Sequence, residues 1–97
     1  MITSAEANSS TFATRRFSPG YDPAQVDSFL ARVRTTLESY ERRAGGTAEL
    51  NASQVVNVRF QPTKFRTGYG QDEVDAFLDQ VVATLRAYEG SGEPTVL

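Results

Sequence analysis

The chain has 97 residues, 39% of them hydrophobic and 23% charged, with 12 Asp+Glu against 10 Lys+Arg for a formal net charge of -2. A chain of this length holds one compact domain, which excludes an active-site cleft between two domains. With no Cys and no His, it can build no disulfide, no thiolate or imidazole zinc site, no Cys nucleophile and no triad with a His base.

The first ten residues lack the basic start and apolar stretch of a signal peptide, and no apolar run approaches the roughly 18 residues of a membrane-spanning helix. A cytoplasmic chain is expected, and its acidic balance argues against nucleic-acid binding. Met1 to Thr11 is small and polar and reads as a flexible N-terminal tail.

Beyond that tail the chain repeats itself. Phe12 to Glu41 aligned without a gap on Phe60 to Glu89, an offset of 48, gives 13 identities in 30 positions. They include Phe12/Phe60, Phe17/Phe65, Gly20/Gly68, Tyr21/Tyr69, Val26/Val74, Asp27/Asp75, Phe29/Phe77 and Tyr40/Tyr88. Residues 12–43 thus form a first copy, 44–59 a linker, 60–90 a second copy and 91–97 a flexible C-terminal tail.

Each copy reads as a loop feeding a helix. Pro19-Gly20 suits the corner of a type II turn, with Gly20 accepting positive φ. Asp22 then serves as N-cap, Pro23 as N1 and Gln25 as the N3 residue of a capping box, so the helix starts at Pro23. In the second copy Gly70 is a weaker cap, but Asp72 and Glu73 place negative charge in the first turn. Val26, Phe29, Leu30, Val33, Leu37 and Tyr40, then Val74, Phe77, Leu78, Val81, Leu85 and Tyr88, recur at steps of three and four and define one stripe per helix. Between the helices, Val55 to Val58 is rich in β-branched residues and is expected to be a short strand.

The expected fold is therefore all-α: two loop-helix repeats paired through their stripes in a coiled-coil-like unit. The linker is long enough for either a parallel or an antiparallel pair. Such a two-helix unit is marginal alone, so self-association into a homo-oligomer is expected.

The segments Phe17-Ser18-Pro19-Gly20-Tyr21-Asp22 with Val26-Asp27-Ser28-Phe29-Leu30, and Phe65-Arg66-Thr67-Gly68-Tyr69 with Val74-Asp75-Ala76-Phe77-Leu78, resemble the DivIVA-type domain of bacterial cell-division and polar-growth scaffolds. The resemblance covers about 30 residues per copy, and short actinobacterial proteins of this kind are the most similar. It implies a cytoplasmic module without enzymatic activity that dimerises through parallel helices and attaches peripherally to the inner face of the plasma membrane, at the pole or septum. Carried over by position, Phe17 and Phe65 would insert into lipid while Arg15, Arg16, Lys64 and Arg66 meet anionic head groups. Ser18, where a basic residue would strengthen the loop, and Gly70, in place of an Asp cap, depart from the pattern.

Physical chemistry supports the same loops, since an aromatic side chain flanked by cations is a good interfacial anchor. The competing expectation is a protein-binding adaptor whose loops dock on an acidic groove or on a full-length DivIVA-type scaffold without touching lipid. Asp27 and Asp75 are explained by the helix dipole, and Tyr21 and Tyr69 by packing on the other repeat with the hydroxyl on a loop carbonyl. No residues suggest a cofactor, a metal or a catalytic role.

Overall fold

Asp22 opens the first long helix, α1 (Pro23–Glu41), by accepting the Ala24 and Gln25 N–H groups at 2.9 and 3.3 Å, with Pro23 in the first turn. The second long helix, α3 (Gln71–Ser91), carries Asp72 and Glu73 in its first turn. Between them lies a short helix, α2 (Ala52–Asn57). The computed structural model describes residues 2–8, 12–16, 19–42, 49–64 and 66–91, the side chains of Arg15 and Ser91 excepted.

The short strand expected at residues 55–58 is instead the end of α2. Asn51 and Gln54 form a capping box, the Gln54 N–H donating to Asn51 Oδ1 at 2.8 Å and the Asn51 N–H to Gln54 Oε1 at 2.9 Å. That local nucleus outweighs the β-preference of the valines, which is largely a packing preference. Residues 2–8, expected to fray, form a 3-10 turn (Ser4–Glu6) and bury Ile2 and Ala7 in the core.

The all-α expectation is overturned by a sheet at the N-terminal ends of the long helices. Its strands are β1 (Thr14–Arg15), β2 (Gly20–Tyr21), β3 (Pro62–Thr63) and β4 (Gly68–Gly70), antiparallel in the order β1-β4-β2-β3, so the fold is mixed α/β. Gly20 therefore opens a strand and does not occupy the left-handed corner of a type II turn. A Cβ at Gly20 would come within 2.8 Å of the Tyr69 carbonyl oxygen, and one at Gly68 would overlap the Thr63 hydroxyl. Close approach of backbones is what requires glycine at both positions.

The register reveals an internal pseudo-two-fold axis. Tyr21 lies opposite its own equivalent Tyr69. Gly20 and Tyr21 pair with Thr63 and Pro62, and the equivalent Gly68 and Tyr69 pair with Arg15 and Thr14. Each repeat thus lends its first strand to the second strand of the other. At the far end the rings of Tyr40 and Tyr88 stack at 4.6 Å with 1° between their planes, so α1 and α3 run parallel. The twelve stripe residues face the interior: Val26, Val33, Leu37, Val74, Val81 and Leu85 are fully buried, and Tyr40, Phe77 and Tyr88 pack half-buried around them.

Candidate functional site

Strand exchange sets where the described ends of the two basic loops lie. β1 lies on one side of β4 and β2 on the other, so Arg16 at the end of β1 and Pro19 at the start of β2 stand on opposite sides of β4. By the same order Lys64 at the end of β3 and Thr67 at the start of β4 stand on opposite sides of β2. The described ends of the two basic loops, 48 residues apart in sequence, thereby flank the central strands β4 and β2 of a single sheet.

The strands are held by contacts that occur twice. Asp22 N–H donates to Gln61 O and Gly70 N–H to Ala13 O, both at 2.9 Å. The N3 side chains grip the same segments: Gln25 Oε1 accepts the Gln61 N–H at 2.6 Å, and Glu73 Oε1 accepts the Ala13 N–H at 3.2 Å. Gln25 was expected to complete a capping box on its own helix; it reaches the other repeat because Gln61 occupies the Asp22 N–H. Aromatic contacts repeat too, with Phe60 against Tyr21 and Phe29 at 5.4 and 5.7 Å, and Phe12 against Tyr69 and Phe77 at 5.6 and 5.7 Å.

Most of these partners are invisible in a single copy. The hydroxyls of Tyr21 and Tyr69 do not reach loop carbonyls as expected. They donate to Asp75 Oδ1 and Asp27 Oδ1 at 2.8 and 2.9 Å, which gives the repeated aspartates a structural role beyond the helix dipole. Burial, reinforced by the Asp75 carboxylate, pushes the Tyr21 phenol up to about 12.

Of the residues assigned to membrane or partner contact, Arg16, Lys64 and Arg66 are exposed. Arg66 Nη2 lies 3.4 Å from Asp22 Oδ2. The Gln25 N–H holds the Asp22 carboxyl below its usual range despite some desolvation, with the Ala24 N–H and Arg66 adding to the effect. An exposed pair of this kind is weak and exchangeable. Phe17, Phe65 and the Arg15 side chain lie outside the described residues. Among the described residues no helix is long and apolar enough to cross a membrane, and no group of three or more acidic side chains is placed to hold a metal ion. No protein-family model matches the chain, and no curated protein or solved structure is detectably similar to it.

Proposed function

We propose that the chain is a non-catalytic, DivIVA-like interaction module whose two basic loops attach it peripherally to an anionic membrane surface, as a scaffold component in bacterial division or polar growth. The observation that carries this reading is that the exposed cations Arg16, Lys64 and Arg66 adjoin the strands of a single sheet. Each loop carries one aromatic residue and two cations in its sequence, and the strand exchange joins both loops to one sheet. At about 1 kcal/mol per Lys or Arg near an anionic leaflet, Arg15, Arg16, Lys64 and Arg66 contribute on the order of 4 kcal/mol, a screened and salt-sensitive attraction. Phe17 and Phe65 add apolar insertion, and tethering in one rigid unit adds avidity.

Cosedimentation with phosphatidylglycerol-containing vesicles tests the proposal, with pure phosphatidylcholine vesicles as control. Wild type pellets with the anionic vesicles at low salt and is released as salt rises. Phe17→Ala with Phe65→Ala, or Arg16→Glu with Lys64→Glu, abolishes binding while leaving helicity intact. A wild type that ignores anionic vesicles at low salt overturns the membrane reading.

A further inference from the structure

Many sheet and core contacts occur in equivalent pairs, but the grooves beside the two long helices differ. Between α2 and α3 lies a groove of about 900 Å³ with Leu78, Val82 and Ala83 on its α3 wall and Val55 and Val58 opposite. Its pseudo-symmetric counterpart beside α1 has only about 200 Å³. All six residues lining the small groove have their equivalents in the large one; Val58 and Arg59, which also line the large groove, correspond to Ser10 and Thr11, outside the described residues. The chemistry of the difference is local. In the small groove Arg34 lies across the wall and donates to the Ala7 carbonyl at 3.4 Å; its equivalent in the large groove is Val82. On the ridge beside the opening, Val56 stands where the first repeat has Asn8, and it is 49% exposed.

Charges along the open α3 face are ordered. Asp75 and Asp79 lie toward the sheet and Arg86 toward the helix end. Asp75 already accepts the Tyr21 hydroxyl, whereas Asp79 and Arg86 make no hydrogen bond or ion pair among the described residues. Asp79 and Arg86 are seven residues apart, about 10.5 Å along the helix, and their midpoint falls between Val82 and Ala83. A helix face with acid at one end, base at the other and a small apolar centre is complementary to itself run backwards.

We infer that this groove is an interface for a second copy of the chain, with α3 packed antiparallel on α3 about a two-fold axis at Val82 and Ala83. In that arrangement Asp79 of each copy faces Arg86 of the other, and the apolar walls and the Val56 ridge are covered from both sides. The contact is isologous, so every favourable pair occurs twice. It is distinct from the pairing of α1 with α3 inside each chain. The two sheets then lie at opposite ends of the dimer, and the inference stands independently of lipid binding.

Light scattering and sedimentation velocity over a concentration series, without lipid, read the outcome. Wild type forms a discrete dimer that weakens with added salt. Asp79→Arg and Arg86→Asp each place two like-charge contacts in the interface and weaken dimerisation roughly tenfold or more. An equimolar mixture of the two variants restores the dimer, because each contact of the heterodimer again joins one acid to one base. One contact brings the two substituted positions together with their charges reversed, and the other keeps the native Arg86 and Asp79. Recovery on mixing cannot come from misfolded chains, and both substitutions are on exposed positions whose helicity circular dichroism checks. A wild type that stays monomeric overturns the inference and leaves the groove to a different occupant. A dimer indifferent to both reversals places the contact elsewhere, and loss without recovery on mixing rules out the antiparallel register.

Discussion

Tyr21 and Tyr69 face each other at the centre of the sheet, and each hydrogen-bonds to the aspartate on the other's helix, Asp75 at 2.8 Å and Asp27 at 2.9 Å. The chain's four tyrosines all sit in equivalent pairs beside the pseudo-two-fold axis, this pair at the sheet and the stacked Tyr40 and Tyr88 at the other end. Exchange of β1 and β3 makes the two repeats one cooperative unit, because neither repeat pairs its own strands. That exchange also joins Arg16 and Lys64, at the ends of β1 and β3, to one sheet.

Removing either phenol hydroxyl tests the symmetry. Tyr21→Phe and Tyr69→Phe each lose a hydrogen bond to a carboxylate that remains partly solvated, and each lowers unfolding free energy by about 1–2 kcal/mol. Urea unfolding reads both. Near-equal losses are expected because the two bonds are equivalent; a large loss from one and none from the other contradicts the pseudo-symmetric arrangement.

The two long helices were legible in the sequence, whereas α2 was read as a strand although its Asn51–Gln54 capping box is local. Asp22-Pro23 marks the start of α1, and the stripes from Val26 and Val74 identify the buried faces. The strands were not legible, since each has two or three residues and pairs with the other repeat, where no short-range pattern reports it. The N-terminal segment was missed for a different reason: Ile2, Thr3 and Glu6 match Leu50, Asn51 and Gln54 in chemistry but not in identity. A signal for the α3 groove was present in the mismatches of the repeat. Ala31/Asp79, Arg34/Val82, Thr35/Ala83 and Glu38/Arg86 fall at helical spacing on one face, and reading only the identities hides them.

Thr63 is buried across Gly20 and reaches Gly68, and its hydroxyl has no hydrogen-bond partner among the described residues. Gly68→Ala places a methyl group on that hydroxyl and costs about 1–3 kcal/mol. Thr63→Ala opens the space the new methyl needs, so the double substitution Gly68→Ala/Thr63→Ala is less damaging than the sum of the singles, a coupling a double-mutant cycle measures. Gly90, where an added Cβ meets nothing within 4 Å, is the control: Gly90→Ala leaves stability unchanged or raises it by up to about 1 kcal/mol.

Stability falls at both ends of the pH range. The Gln25 N–H lowers the Asp22 carboxyl from its ordinary 3.8 against the opposing effect of desolvation. The Ser4 hydroxyl and N–H lower Glu41 from 4.5. These carboxylates stabilise the fold above those ordinary values, and the contribution is lost as pH falls below them, because the unfolded chain takes up protons first. Tyr21, raised from 10.0 to about 12, acts in the opposite sense: the unfolded chain releases its proton first, so stability declines as pH rises across that interval. Urea midpoints against pH show both limbs, with a shallower acid limb in Ser4→Ala and a shallower alkaline limb in Tyr21→Phe.

Thr36 and Thr84 tie the short N-terminal segments of the two repeats to the long helices. Thr36 Oγ1 accepts the Leu50 N–H at 3.1 Å, and Thr84 Oγ1 accepts the Ile2 N–H at 2.9 Å. Both threonines are buried, at 0% and 1% exposure, beside Leu50 and Ile2, which are themselves in the core. Replacing either by valine preserves shape and apolar contact but leaves a backbone N–H buried without an acceptor, at a cost of about 1–3 kcal/mol. Thr84→Val is the more informative substitution, because its loss is expected only if Ile2 belongs to the folded core. Hydrogen exchange adds a second readout: Thr84→Val abolishes protection at the Ile2 amide and leaves Leu50 protected, while Thr36→Val does the reverse. A Thr84→Val variant as stable as wild type, with the Ile2 amide unprotected in both, returns residues 2–8 to the status of a frayed tail.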